Sequence, residues 1–172
     1  TLALEHTGDP VEGDYIAFTY GGWTASYSVR STAGVHQLSV SYSISYYTDA
    51  AQEATMDTEV TKLLNQLDLY DSSDYQKLRG IYDYMTENIR YDYANLNDSS
   101  YLLKHTSYAA LINKTSVCQG YASLFYRLAL ELDVDARIIS GIGGTGDSAG
   151  PHAWNIAKLG SKYYNLDATW DA

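Results

Sequence analysis

The spacing of apolar residues changes along this chain, and that change limits the possible folds more than any other feature. From Gln37 to Tyr47 apolar residues alternate with serine, which is typical of a β-strand with one buried and one solvated face. From Met56 onward they recur every three or four positions, which predicts helices, the second of them capped by Ser72 or Ser73. Strand-like segments resume after residue 134. Helices that precede antiparallel strands predict an α+β fold.

The N-terminal part is predicted to be a small β-rich element over residues 1–48. Besides the alternating strand, it contains a weaker strand pattern from Asp14 to Tyr20, which Gly21-Gly22 is expected to end. We expect the tyrosines of this part, such as Tyr42 and Tyr46, to fill the buried strand face. Residues 49–172 are predicted to form the main domain, since a chain of 172 residues can bury one full hydrophobic core.

Charge and hydropathy exclude several classes of protein. The chain has 11 Lys and Arg residues against 21 Asp and Glu residues, a net charge of −10. A polyanion is bound mainly through Lys and Arg, so we expect no nucleic-acid partner. No apolar run approaches the roughly 18 residues of a membrane-spanning helix, so we expect no membrane span in this chain.

Cys118 is the only cysteine, which excludes an internal disulfide and a four-cysteine zinc site. It lies where a helix with an apolar face from Val117 to Leu132 is predicted to begin, with Thr115 or Ser116 as the N-cap. In the first turn of a helix, unpaired N–H groups and the helix dipole favour thiolate over thiol. An isolated cysteine is more often a small buried hydrophobic residue. A reactive thiol is therefore indicated only if the sequence also contains residues that could activate it.

His152 and Asp167 are the predicted partners of this thiol. They lie near the two ends of a predicted hairpin formed by 152–159 and 162–167. A turn at Leu159-Gly160 would place them directly opposite, and a turn at Gly160-Ser161 would make them diagonal neighbours on one face, with Cβ atoms about 5 to 8 Å apart in either case. A three-residue loop would place them on opposite faces. Hairpins favour two-residue loops with glycine, so an imidazole–carboxylate pair is predicted that could serve Cys118 as base and orienter.

An acyl-transfer reaction also needs donors for an oxyanion and a surface that contacts substrate. The main-chain N–H of Cys118 is one candidate donor, and the side chain of Gln119 or a nearby tyrosine hydroxyl is another. The Gly143–Gly150 loop is either a mobile lid or a flexible connection. Trp154 and Trp170 are expected to be core or wall residues. The candidates for substrate contact are Trp154, Tyr121 and Gly144.

Three segments resemble the motifs of bacterial members of the transglutaminase-like superfamily. They are Val117-Cys118-Gln119-Gly120-Tyr121-Ala122, His152-Ala153-Trp154-Asn155 and Tyr164-Asn165-Leu166-Asp167-Ala168-Thr169-Trp170-Asp171, preceded by Ile89-Arg90-Tyr91-Asp92. The resemblance implies a papain-like α+β core in which the cysteine helix packs on an antiparallel sheet. It implies Cys118 as nucleophile, His152 as general base and acid, and Asp167 as the orienter. Residues 49–172 are thus expected to be a transglutaminase-like domain. Because the family's sheet usually continues past the aspartate motif, this domain is either truncated at the C-terminus or a minimal core with unfinished strands.

The resemblance implies cysteine-dependent acyl transfer on protein or peptide amides through a thioester. Hydrolysis is expected ahead of cross-linking. The alternative is a non-catalytic cell-surface or polymer-binding module, which the 18 tyrosines and the acidic N-terminal part favour. No calcium-loop pattern is present, and one cysteine supplies too few soft ligands for zinc, so we expect no metal and no cofactor. The expected partner is a protein or peptide substrate, which could be cell-wall associated, and the expected location is extracellular or at the cell surface.

Overall fold

The computed structural model describes residues 4–172, with the side chain of Ser148 excepted. Its helices and strands confirm the α+β prediction. In chain order they are α1 (Asp14–Thr19), β1 (Tyr20–Thr32), β2 (Val35–Tyr46), α2 (Ala50–Leu67), α3 (Asp74–Asn88), β3 (Arg90–Tyr91), α4 (Ser107–Leu111), β4 (Thr115–Ser116), α5 (Cys118–Glu131), β5 (Ala136–Gly143), β6 (Gly150–Leu159) and β7 (Lys162–Leu166). Within residues 4–172 no helix is both long and apolar enough to cross a lipid bilayer.

Helix α5 lies at the centre of the core. Every residue from Gly120 to Leu130 is buried, which is typical of a helix enclosed on all sides rather than lying on a surface. Helices α1, α3 and α4 pack against it, and so do strands β5 and β6. The residue at the start of this helix, Cys118, is therefore attached to the best-packed element of the protein.

Helices α2 and α3 both begin with a reciprocal capping arrangement, of which the sequence predicted the one at α3. The side chain of Ser73 accepts a hydrogen bond from Gln76 N, and the Gln76 side chain accepts one from Ser73 N, which confirms Ser73 as the N-cap of α3. Asp49 and Gln52 form the same reciprocal arrangement at the start of α2. These caps fix where the two helices begin.

Strands β5, β6 and β7 form an antiparallel sheet in that order. Leu159 pairs with Lys162, so the turn between β6 and β7 is Gly160-Ser161. This is one of the two predicted registers that place His152 and Asp167 on the same face. Gly160 has a φ of +60°, a conformation that residues with a Cβ rarely adopt, which explains the glycine in the turn.

The predicted strand from Asp14 to Tyr20 is wrong, because Asp14–Thr19 is the helix α1. Its buried residues pack against α5, and the Asp14 carboxylate binds the side chain of Arg137 and the main-chain N–H of Ile138. Tertiary contacts thus override a weak local pattern. The prediction that Gly21-Gly22 ends a strand is also wrong. Strand β1 passes through both glycines, and the register with β2 shifts there in a bulge with Gly22 at φ +124°.

Strands β1 and β2 form a long hairpin with no third strand beside it in residues 4–172. Trp23, Tyr27 and Val29 lie opposite Ile44, Val40 and Leu38, so apolar side chains share one face, as predicted. The prediction that this face is buried is wrong, because every residue of β2 is exposed, Tyr42 and Tyr46 included. Alternation identifies which residues share a face, but not whether another element covers it. The boundary at residue 48 stays a prediction.

Candidate active site

Cys118 is the first residue of α5, as predicted, and its side chain is half-buried. The predicted N-cap is wrong. Val117 occupies that position with an extended backbone and without a capping side chain, because Ser116 Oγ instead donates to the main-chain carbonyl oxygen of Lys104 at 2.9 Å. The first turn therefore keeps N–H groups that no capping side chain satisfies, beside the thiol. Such a position stabilises negative charge.

The segment that leads into Cys118 is held by Lys104. The main-chain oxygen of Lys104 accepts a hydrogen bond from Val117 N at 3.1 Å, in addition to the one from Ser116. The Lys104 side chain is buried, and its Nζ donates to the carbonyl oxygens of Asn95, Leu96 and Asp98 at 2.7, 3.0 and 2.6 Å. One lysine thus ties a loop to the start of the cysteine helix.

Close packing explains why the residue at position 120, the last of Cys118-Gln119-Gly120, is glycine. A Cβ atom at this position would lie 1.9 Å from Ser116 Oγ and 2.7 Å from the main-chain oxygen of Thr106. No side chain fits into this space, so the first turn of α5 can approach its neighbours this closely only with glycine. The glycine serves packing around the thiol.

His152 and Asp167 form the predicted pair. Nε2 of His152 lies 2.6 Å from Oδ2 of Asp167, and Oδ1 of Asp167 accepts a hydrogen bond from Thr169 N at 3.1 Å. The His152 side chain is only 11% exposed, because the ring of Trp154 stacks on it at 6.0 Å and that of Trp170 lies 5.3 Å away. Since Nε2 is engaged by the carboxylate, Nδ1 is the nitrogen left for proton transfer.

The glycines at the end of β5 make room for this imidazole. A Cβ atom on Gly143 would lie 2.8 Å from Cβ and Cγ of His152, and one on Gly141 would lie 2.9 Å from the Trp154 ring. Sequence reasoning assigned Gly143 to a flexible loop and missed this contact. The loop is also shorter than predicted, because β5 extends to Gly143 and β6 begins at Gly150.

Helix α5 and strand β6 meet through Asn155. Its Nδ2 donates to the main-chain oxygen of Ala122 at 3.0 Å, and both residues are buried. Tyr121 and Ala122 line a narrow gap together with Trp154 and Asp167, so the beginning of the cysteine helix lies beside the carboxylate. Among residues 4–172, no hydrogen bond joins Sγ of Cys118 to His152.

Tyr91 is a neighbour of the thiol that sequence reasoning did not identify. Strand β3 pairs in parallel with β4, so that Tyr91 lies beside Ser116, and its side chain interacts with both the main-chain amide and the thiol of Cys118. Burial, together with the electrostatic influence of Cys118, raises the pKa of Tyr91 to about 12. The hydroxyl is therefore protonated near neutral pH and able to donate. The only signal in the sequence was the Ile89-Arg90-Tyr91-Asp92 segment.

Comparison with known proteins identifies the family. The family model of the Transglutaminase-like superfamily matches residues 61–168, which is more than half of the chain. The chain belongs to the transglutaminase-like superfamily. This confirms the resemblance inferred from the three motifs, whereas the bacterial subgroup stays a prediction.

Two curated relatives of this transglutaminase-like chain are kyphoscoliosis peptidases. The mouse (Mus musculus) protein is 26% identical over 129 residues, and the human (Homo sapiens) protein is 26% identical over 128 residues. Each alignment covers 70% of this chain and 19% of the relative. The transglutaminase-like chain thus spans about a fifth of the length of the curated relatives that it matches.

Two solved structures share the fold. A crystal structure described as that of a TGase superposes with a TM-score of 0.60 and 18% identity, covering 86% of this chain and 45% of that chain. A candidate cysteine protease from Cytophaga hutchinsonii superposes with a TM-score of 0.53 and 15% identity, covering 87% of this chain and 65% of that chain. Together they confirm the transglutaminase-like core.

The remaining candidate residues of the transglutaminase-like site are placed as follows. The amide group of Gln119 donates to the main-chain oxygen of Phe18, and its role as an oxyanion donor stays a prediction. Tyr121 is buried with a hydroxyl that has no hydrogen-bond partner in the part of the chain that the structure describes. Gly144 is exposed at φ +82°, and Trp154 Nε1 donates to Asn165 Oδ1 at 3.0 Å. Substrate contact by these residues stays a prediction.

Proposed function

We propose that this chain is a cysteine-dependent peptidase or amidase in which Cys118, His152 and Asp167 act together. The observation that carries the proposal is the 2.6 Å contact between His152 Nε2 and Asp167 Oδ2. His152 lies on β6 and Asp167 directly follows β7, beside the helix that begins with Cys118. A carboxylate on one imidazole nitrogen fixes the tautomer and leaves the other nitrogen free to serve a thiol. Catalytic contacts are often loose without substrate and tighten when it binds.

The proposed reaction proceeds through a thioester. Nδ1 of His152 takes the thiol proton, and the sulfur electron pair attacks the carbonyl carbon of an amide, whose π electrons move to oxygen. When this oxyanion collapses, the C–N bond breaks and the leaving nitrogen takes the proton from His152. Water then attacks the thioester with His152 as the base, and the thiol is restored as the carboxylic acid leaves. An amine in place of water would give cross-linking.

Two groups are proposed to stabilise the oxyanion. The main-chain N–H of Cys118 lies at the uncapped start of α5, and the Tyr91 hydroxyl interacts with both the amide and the thiol of that residue. When substrate binds, the hydroxyl would exchange the thiol for the carbonyl oxygen. The proposed role of Tyr91 as donor takes the place of the unnamed tyrosine in the sequence prediction.

Hydrolysis of a protein or peptide is proposed as the outcome. Its support is that the mouse and human relatives are named peptidases and that one structural neighbour is described as a candidate cysteine protease. Because the chain covers so little of the curated relatives, their activity is carried over only as a proposal. An extracellular or cell-surface location, with a substrate that could belong to a cell wall, is likewise a proposal from the composition and the resemblance.

Two measurements test this function. Wild type and Cys118→Ala are incubated with a peptide library and compared by mass spectrometry, and the rate of thiol alkylation is measured across pH. We expect peptides hydrolysed only by wild type, and a Cys118 thiol that is alkylated in the folded protein near neutral pH. Amine-linked products in place of hydrolysis would make the enzyme a cross-linking one. Identical products from both proteins, with a thiol that resists alkylation in the folded protein, would contradict the proposal and favour the non-catalytic binding module.

A further inference from the structure

Trp170 is an exposed indole beside the imidazole of the candidate site. Its ring lies 5.3 Å from the ring of His152, yet the residue is 65% exposed. Tryptophan usually buries most of its large apolar surface in a folded protein. The His152 side chain that it contacts is, by contrast, only 11% exposed. The indole therefore shields the imidazole while most of its own surface stays open to solvent.

The turn that carries Trp170 is held by hydrogen bonds to Asp167. Thr169 N donates to Oδ1 of Asp167 at 3.1 Å, and the Tyr82 hydroxyl donates to the main-chain oxygen of Asp167 at 3.3 Å. The first of these bonds engages the same carboxylate that contacts His152. The position of the indole is thus coupled to the His152–Asp167 pair. An aromatic ring on ordered backbone loses little conformational entropy when a ligand binds to it.

Trp154, the other indole beside His152, is already engaged within the protein. It stacks on the imidazole at 6.0 Å, and its Nε1 donates to Asn165 Oδ1 at 3.0 Å. Its ring also packs against β5, where a Cβ atom on Gly141 would lie 2.9 Å away from it. The residue is half-buried as a result. Of the two indoles, Trp170 is therefore the one with surface left for a ligand.

We propose that Trp170 is a specificity-determining residue that contacts a large apolar or aromatic side chain of the peptide substrate, close to the amide that is cleaved. The inference rests on the proposed function and names the substrate class of the same site. A group that reaches His152 has to pass close to the indole, because the two rings adjoin. Aromatic rings stack on an indole face, and aliphatic side chains gain binding energy when such a face covers them.

The surroundings of Trp170 favour an apolar side chain over a charged one. A basic side chain is also attracted to an indole face, but the Asp167 carboxylate that could hold it is engaged by His152. An acidic side chain is repelled by a chain of net charge −10. Pro151, which directly precedes His152, pairs with Ile142, and both are exposed apolar residues. Exposed apolar surface thus borders the imidazole on its strand as well as at the indole.

The test compares Trp170→Ala with Trp23→Ala, a matched control that removes an indole of similar exposure, 61%, from the hairpin of β1 and β2. The substrates are blocked oligo-alanine peptides in which phenylalanine, leucine, lysine or glutamate replaces one alanine at each position in turn. In wild type and Trp23→Ala, we expect kcat/KM to be about 10- to 100-fold higher for the best phenylalanine or leucine peptide than for the parent. Trp170→Ala should lose most of this preference, mainly through a higher KM for those peptides. Circular dichroism checks that both variants keep the fold.

A second measurement does not require hydrolysis. Cys118 in each protein is alkylated with iodoacetamide and with N-benzyliodoacetamide, and the ratio of the two rates is divided by the same ratio for glutathione. Contact between the benzyl group and the indole should favour the benzyl reagent by about tenfold in wild type and Trp23→Ala. In Trp170→Ala the ratio should approach that of the free thiol.

The outcomes separate this inference from the proposed function. If wild type hydrolyses peptides without preferring large apolar residues, the inference is overturned and the proposed function stands. A preference that survives in Trp170→Ala also overturns it. So does an equal loss for every peptide, because Trp170 would then only cover His152. If no peptide is hydrolysed, the proposed function fails, and the alkylation ratio decides: a ratio lost in Trp170→Ala alone supports the contact, and an unchanged ratio overturns it.

Discussion

Nε2 of His152 and Oδ2 of Asp167 lie 2.6 Å apart on neighbouring ends of β6 and β7, so the carboxylate selects which imidazole nitrogen remains free. If this selection matters for catalysis, Asp167→Asn should lower kcat/KM by about 100- to 10,000-fold while the fold is retained. It should also slow alkylation of Cys118 near neutral pH. Asp171→Asn is the matched control, because Asp171 is exposed and accepts a hydrogen bond from Tyr82. This substitution should leave kcat/KM and the alkylation rate unchanged. Equal effects of the two substitutions would refute the orienting role.

Tyr91→Phe removes the hydroxyl that is proposed to bind the oxyanion. The loss of one such donor should lower kcat by about 100-fold with little change in KM, because the contact is made mainly in the transition state. Tyr93→Phe is the control, because the ring of Tyr93 lies 4.8 Å from that of Tyr91 and its side chain is exposed. An unchanged kcat in Tyr91→Phe would leave Cys118 N–H as the donor that matters.

Gly143→Ala should disturb the imidazole without unfolding the protein. The added methyl group would lie 2.8 Å from Cβ and Cγ of His152, so the imidazole has to shift from the position in which it contacts Asp167. We expect a loss of kcat/KM of about tenfold or more, as expected when a reacting group is displaced by about 1 Å. Gly150→Ala is the control on the paired strand, because a Cβ there meets nothing within 4 Å. Chemical shifts of the imidazole nitrogens would show whether the ring has moved.

Lys104→Met should destabilise the protein. The substitution leaves the carbonyl oxygens of Asn95, Leu96 and Asp98 without their charged donor, and we expect the free energy of unfolding to fall by about 3 kcal/mol. Lys62→Met is the control, because that lysine is exposed and pairs with Glu59 in a surface ion pair, worth about 0.5 kcal/mol. Urea unfolding measures both. A loss below 1 kcal/mol for Lys104→Met would show that water replaces the ammonium.

Asp14 should make the free energy of unfolding depend on pH in the acid range. Burial by itself raises the pKa of Asp14, but the hydrogen bonds from Arg137 and from Ile138 N outweigh it and lower the pKa below its ordinary value. The ionised Asp14 carboxylate therefore contributes fully to the free energy of unfolding above about pH 4. This contribution is lost as the pH falls through the pKa of Asp14 in the folded state. In thermal unfolding experiments from pH 7 to pH 2, Asp14→Asn should lose less stability on acidification than wild type. Asp71→Asn, which changes an exposed carboxylate, should follow the wild-type curve.

Features with a local signal could be predicted from the sequence. Ser73 and Gln76 lie three residues apart and cap each other, and Gly160 provides the φ that its turn requires. Cys118 at a helix start, and the pairing of His152 with Asp167, followed from periodicity and from one turn. In each case the interacting groups are close in sequence, or are brought together by a single hairpin.

Features that depend on distant partners could not be predicted in this way. Ser116 fails to cap α5 because a carbonyl twelve residues earlier, that of Lys104, takes its hydroxyl. Tyr91 reaches the thiol through strands of only two residues each, which are too short to show a period. The alternation from Gln37 to Tyr47 shows which side chains share a face, but it cannot show that this face is exposed.

The enclosure of α5 on all sides divides the proposed site into a rigid half and an adjustable half. Residues Gly120 to Leu130 can be released only when the core opens, so Cys118 should keep its place until global unfolding. His152 lies near the start of β6, beside exposed Trp170, where a small local opening is enough to displace it. Under mildly denaturing conditions His152 should therefore be displaced first. Cys118 would then keep its position but lack the imidazole that takes its proton.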